Sequence, residues 1–251
     1  MGAVHGVVLK YVALVTVASA GAYAAPRESL ARRGLLIVAA TNLVIVALFV
    51  LDRGTSLLGK SAKTGKAPWY YALPWMGFVA PTWLYTWVHT KLGSNCGIPE
   101  ATEVAAGWWL GGRYSDRAPG RPARWAGVLD LTCELPERCF EAADDYKLVP
   151  CWDGAPPRGK ALDAAAAFCV SARRRGPVLV HCAHGRGRST TAMVAALVKA
   201  GLFPDWRSAF TACQKTRPCV RLNGRMRAAL DAWEREYCVL APASSGAIGL
   251  G

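Results

Sequence analysis

The stretch that decides the fold runs Val180-His181-Cys182-Ala183-His184-Gly185-Arg186-Gly187-Arg188-Ser189-Thr190. Before it, residues 177–180 form a short apolar run led in by Gly176-Pro177, the pattern of a buried strand. After it, residues 190–200 are rich in alanine and stop at Gly201, the pattern of a helix with a glycine end. A strand, a glycine-bearing turn and a helix start bring backbone N–H groups to one point, where the helix dipole also favours negative charge. The expected guest is a phosphate.

Outward from this loop, the second half of the chain alternates strand and helix patterns. Residues 108–112, 126–132 and 146–150 read as strands, and 160–174 as a helix with Leu162, Ala166 and 168–170 on its apolar face. Asp205 is placed to cap a helix through Lys215, and Asn223 begins the last one, to Tyr237. Such alternation predicts an α/β fold, a largely parallel central sheet flanked by helices.

The side chains of the loop suit a nucleophilic displacement. Only a thiolate attacks well, and a ring of N–H groups with Arg188 beside it lowers the pKa of Cys182. The same ring holds three phosphoryl oxygens, so Ala183, His184, Gly185, Arg186, Gly187 and Arg188 are the expected phosphate-binding residues. Arg188 can pair two oxygens at once through its planar guanidinium. Ser189 can donate to the sulfur and ease its departure, while His181 is expected to order the loop. A leaving oxygen also needs an acid. Asp153 is the candidate, since it lies in a Gly/Pro-rich loop after a strand, from which it could swing over the phosphate; Asp144, Asp145 and Asp163 are placed less well.

The first ninety residues differ in kind. Residues 7–25 are apolar except for Lys10, and read as a membrane helix or, from Ala22-Tyr23-Ala24, a cleavable signal that lacks the usual leading positive charge. Residues 34–51 carry no charge and would extend about 27 Å as a helix, close to a bilayer's hydrocarbon thickness. Residues 69–89 are dense in tryptophan and tyrosine, the residues of the lipid–water boundary, with Pro74 and Pro81 as kinks. The expected organisation is a membrane-anchoring region over 1–93 (helices about 7–25, 34–51 and 69–89), a catalytic domain over 94–240 and a flexible tail over 241–251. Two or three spans, with no charge deep in the best one, do not make a transporter.

The net charge of +13 is spread along the chain and, in the second half, interleaved with acids, which fits an anionic substrate or membrane surface at least as well as nucleic acid, and no nucleic-acid partner is expected. The nine cysteines all follow residue 95, are odd in number and form no Cys-x-x-Cys pair, so neither a complete disulfide framework nor a zinc site is expected. Unpaired cysteines point to a reducing compartment, with the catalytic part facing the cytosol and the chain anchored or multi-pass.

Taken together, His181-Cys182 with Arg188-Ser189, the upstream Asp153, the strand before Cys133 and the late Arg217-Pro218 with Asn223 resemble the cysteine-dependent protein tyrosine phosphatase superfamily, in its dual-specificity branch. The resemblance covers 108 to about 237. It implies that fold, and a two-step hydrolysis through a cysteinyl-phosphate with no metal or other cofactor. Cys182 would be nucleophile, Arg188 the phosphate ligand, Asp153 acid and then base, and Ser189 the aid to sulfur departure. It also implies phosphotyrosine, phosphoserine and phosphothreonine proteins as substrates. The alternative is a phospholipid, a phosphoinositide or phosphatidylglycerophosphate, because the extra charge of Arg186 is similar to that of lipid-directed members. A catalytically inactive phosphate-binding scaffold is a third reading. Some relatives carry a second thiol near Cys133, which implies a Cys133–Cys182 disulfide under oxidation.

Overall fold

The computed structural model describes residues 7–238, so the expected tail over 241–251 lies outside the described residues. Strands β1 (Ala101–Ala105), β2 (Trp108–Gly111), β3 (Gly127–Thr132), β4 (Tyr146–Cys151) and β5 (Val178–His181) form one sheet in the order β1-β2-β5-β3-β4. The pairings β2–β5, β5–β3 and β3–β4 are parallel, as expected, while β1 lies antiparallel on β2 and makes the sheet mixed.

The helices are α1 (Val7–Ala24), α2 (Leu30–Val50), α3 (Trp69–Ala72), α4 (Met76–Asn95), α5 (Gly159–Arg173), α6 (Arg188–Lys199), α7 (Trp206–Thr216) and α8 (Gly224–Tyr237). Asp205 and Asn223 cap α7 and α8, accepting from the amides of Ser208 and Met226. Alternation along the strands sorts the core. Trp108, Leu110, Leu129, Leu131, Val178 and Val180 pack with residues of α5 to α8. Trp109, Val128 and Leu179 point the other way, onto Ala118, Trp125 and Cys139, so irregular chain rather than helix closes that face.

The N-terminal region departs from its expected outline. A loop at 25–29 folds α1 back against α2, and the Ser29 hydroxyl caps α2. Residues 69–89 are not one helix. Pro74 falls in a 3₁₀ turn, Leu73–Trp75, between α3 and α4, and α4 passes Pro81 to end at Asn95. Among the described residues, α2 is the one helix long and apolar enough to cross a membrane, with a mean hydropathy of 2.2, against an expectation of two or three.

This region shares a core with the α/β half. Tyr11, Ile45, Phe49, Leu58 and Phe78 pack with Cys133, Trp152 and Ala155. Its outer face is apolar too: among the described residues, every exposed large apolar side chain except Leu202 lies between Leu9 and Leu92.

Candidate active site

The loop after β5 is shaped by contacts on its outer side. The Cys182 amide donates to the Gly111 carbonyl at 3.3 Å, and the Arg113 amide to the Ala183 carbonyl at 3.0 Å. Gly185 has φ +67°, and a Cβ there would stand 2.5 Å from the Gly111 backbone, so glycine is required by conformation and by space. The buried Arg217 guanidinium donates to the carbonyls of Gly185 (3.0 Å) and Pro99 (2.9 Å) and to the Thr102 hydroxyl (2.8 Å). Arg186 accepts at its carbonyl from the Arg221 amide at 2.8 Å and from the Thr190 hydroxyl at 2.9 Å. The loop's curvature is thus set by the protein itself.

Cys182 is buried with its sulfur 3.2 Å from the Ser189 hydroxyl. Burial alone opposes ionisation of the thiol. The Arg188 guanidinium, the Ser189 hydroxyl and the amides of Ser189 and Arg186 outweigh it and bring the pKa below that of an ordinary cysteine. Arg188 is 1% exposed and held in place by Glu134, which accepts from its two terminal nitrogens at 2.7 and 3.1 Å, and by the Cys151 carbonyl at 2.8 Å. Its buried Nε finds no acceptor among the described residues, which leaves a directed donor for an anion.

The Asp153 carboxylate lies 3.4 Å from Arg188. Burial, reinforced by Glu134 and only partly offset by Arg188, raises its pKa. The loop that carries it is tied at two points. Trp152, 2% exposed, donates from its indole to the Arg53 carbonyl at 2.8 Å, and Asn223 donates to the Gly154 carbonyl at 2.8 Å. The other carboxylates weighed for this task are engaged elsewhere, Asp144 with Arg124, Asp145 with Arg175 and Asp163 with Lys199.

Asp153, Cys182, Ala183, His184, Arg186 and Arg188 line one small pocket, joined by Gly187. Gly185 backs onto β2 instead, and Ser189 stands behind the sulfur. The His184 ring packs edge-on against His89 and Tyr85 of α4, with centroids at 4.5 and 5.5 Å. Burial, the charge of His89 and that of Arg186 hold its pKa well below the usual histidine value. It serves as a neutral wall that joins α4 to the loop.

Beneath the loop lies a buried charge cluster that sequence reasoning missed apart from His181. Asp130 of β3 and His181 of β5 are register partners on the same face of the sheet. His181 forms an ion pair with Glu137 at 2.6 Å, and Asp130 pairs with Lys60, which also donates to the Thr132 hydroxyl at 2.7 Å. Burial works against a charged His181, but Glu137 and Asp130 prevail and its pKa is pushed up to about 9. Two carboxylates are therefore balanced by two cations, one from the connector between α2 and α3. No further cation is required. Cys133 is a free, buried thiol, and burial first, Glu134 second, push its pKa well up, away from the reactive range.

A family model named for PTP-like phytase, with the description inositol hexakisphosphate, matches residues 141–199. No curated protein matches the chain. Among solved structures, human DUSP28 is similar at 22% identity over 55% of this chain and 95% of its own, with a TM-score of 0.47. PTPMT1 in complex with PI(5)P is similar at 17% identity, covering 56% and 97%, with a TM-score of 0.47. The human tyrosine phosphatase-like serine/threonine/tyrosine-interacting protein is similar at 20%, covering 56% and 99%, with a TM-score of 0.46.

Proposed function

We propose that the chain is a cysteine-dependent phosphomonoesterase held at a membrane surface. One observation carries the chemistry: a thiol of lowered pKa, an arginine with an unmatched buried donor and a carboxyl of raised pKa meet in one pocket. The Cys182 thiolate attacks phosphorus as the P–O ester bond breaks, and Asp153 gives its proton to the departing oxygen, which leaves as an alcohol. Water then attacks the cysteinyl-phosphate and loses a proton to Asp153. The S–P bond breaks, orthophosphate is released, and the Ser189 hydroxyl stabilises the returning thiolate. Arg188, already clamped by Glu134, meets the shifting charge with little reorganisation.

The approach to the pocket favours a phosphorylated lipid over a phosphoprotein. A cleft of about 720 Å³ shares Arg186 with the pocket and is lined by Tyr85 and His89 of α4 and by Arg217 and Arg221. Leu84, Trp87 and Val88 on the same helix are exposed. A cleft that carries Arg186 and Arg221, on a protein whose α4 exposes apolar side chains, suits an anionic headgroup on a hydrophobic body. The anchor in this reading is the α1–α2 hairpin, with α2 as its spanning helix.

The test is phosphate release by the full-length protein in vesicles, from phosphopeptides, phosphoinositides, phosphatidylglycerophosphate and inositol hexakisphosphate. Turnover of a lipid should exceed that of the peptides, and Cys182→Ser should lower it by at least about 10⁴-fold. Release unchanged in Cys182→Ser ends the mechanism; peptides turned over faster than every lipid restore the phosphoprotein reading.

A further inference from the structure

Glu134, which holds Arg188, also forms part of the wall of a second cavity, of about 320 Å³. The rest of that wall is mostly apolar: Leu58, Trp75, Val79 and Trp83 from the N-terminal region, Cys133 and Leu135 from the loop after β3. Its charged groups are already matched inside the protein, Lys60 by Asp130 and Glu134 by Arg188. A guest would find no counter-charge there, and a polar one would lose its hydration without replacement. Volume and lining fit a small apolar ligand.

The mouth tells which ligand. Trp69, Tyr71, Leu73 and Met76 stand around it with exposures of 74, 46, 57 and 46%. They are among the exposed large apolar side chains that, but for Leu202, all fall between Leu9 and Leu92 among the described residues; the membrane reading above, on which this inference rests, sets such side chains at a bilayer. Tryptophan and tyrosine at a rim are suited to the boundary between headgroups and hydrocarbon. Behind such a rim, the molecules at hand are lipid chains.

We infer that this cavity binds one acyl chain of a bilayer lipid. The chain enters between Trp69 and Met76 and lies against residues 133–136. Trp83 closes the contact from α4, its indole donating to the Glu134 carbonyl at 3.2 Å. A bound chain thereby packs the loop whose carboxylate positions Arg188.

The experiment is photolabelling of the full-length protein in phosphatidylcholine vesicles that contain phosphatidylcholine with a diazirine at the end of one acyl chain. The expected label falls within residues 133–136 and on Leu58 or Val79, as well as on the exposed rim. Filling the cavity with Ala72→Phe, or separately with Ala67→Phe, should lower the label at 133–136 by about tenfold, a change of roughly 1.4 kcal/mol, while the label on α2 stays. Thermal unfolding of each variant shows whether it is folded, and the wild-type map stands without them. Label confined to the rim and α2, or undiminished at 133–136 in a folded filled variant, overturns the inference. So does an absence of label at 133–136, as when another segment of the same chain occupies the cavity. The readout needs no turnover, so a protein that labels as expected yet releases no phosphate would sink the phosphatase reading and leave the acyl site standing.

Discussion

The two regions of this molecule break opposite rules. Residues 7–95 keep large apolar side chains such as Leu9, Ile37, Leu43 and Trp87 on the outside, whereas the α/β half buries charges: Asp130, Glu134, Glu137, Arg188 and Arg217. Each departure costs free energy in water unless something compensates. For the buried charges the compensation is pairing with one another and with backbone carbonyls around the loop after β5. For the exposed apolar surface, in the proposed reading, it is a bilayer. Lys60 links the two, since it leaves the first region to balance a carboxylate in the second.

Three measurements would break or sharpen this contrast. The largest effect is expected at the site itself. Asp153→Asn should lower turnover of a poor leaving group by about 10²- to 10⁴-fold. In the wild type, activity should rise with pH as Cys182 ionises, below the range of an ordinary thiol, and fall as Asp153 loses its proton, above that of an ordinary carboxylate. The variant should lack the falling limb. If both limbs persist, Asp153 is not the acid.

Next in size is the link between the regions. Lys60→Met would leave Asp130 buried without its cation and should destabilise the protein by about 3–5 kcal/mol, read as a lower Tm. Adding Asp130→Asn should recover part of the loss. Equal unfolding of wild type and Lys60→Met would mean that the α/β half balances its charges alone, and the contrast would lose its bridge.

The smallest effect is a pH dependence. His181 is raised to about 9, so its contribution to stability is fully present below its unfolded pKa of about 6.5 and is lost as pH rises through the folded value. Glu137 is depressed, chiefly by His181 against the penalty of burial, so its contribution is present above the unfolded value of about 4.3 and is lost as pH falls through the folded one. Stability from the pair should therefore be greatest between about pH 5 and 6.5 and decline toward 9. Glu137→Gln should flatten that decline; a slope identical to the wild type's would show that His181 is held by other groups.

Much of the fold and of the candidate site was legible because local patterns and tertiary roles agreed there. The apolar run before Cys182, the alanine helix after Arg188, and the capping residues Asp205 and Asn223 sit where the sequence puts them. Strand β1 was not legible: it is short, carries Glu103 and gains its place only by lying on the edge of β2. Glu134, Glu137 and Lys60 were hidden for another reason. A charged residue in a loop reads as solvated, and only assembly of distant segments reveals that each has a buried partner. The Asp153 loop, with its Gly and Pro residues, read as mobile for the same reason, since its anchors at Arg53 and Asn223 are remote in sequence.

The span from Lys60 to Asp130 has a consequence for how the chain is made. Seventy residues separate the two partners, and the lysine is synthesised first. Strand β3 buries its aspartate at low cost only with the connector docked, so the Lys60 contact belongs to the completed sheet. A chain in which the connector failed to dock would leave Asp130 without its cation.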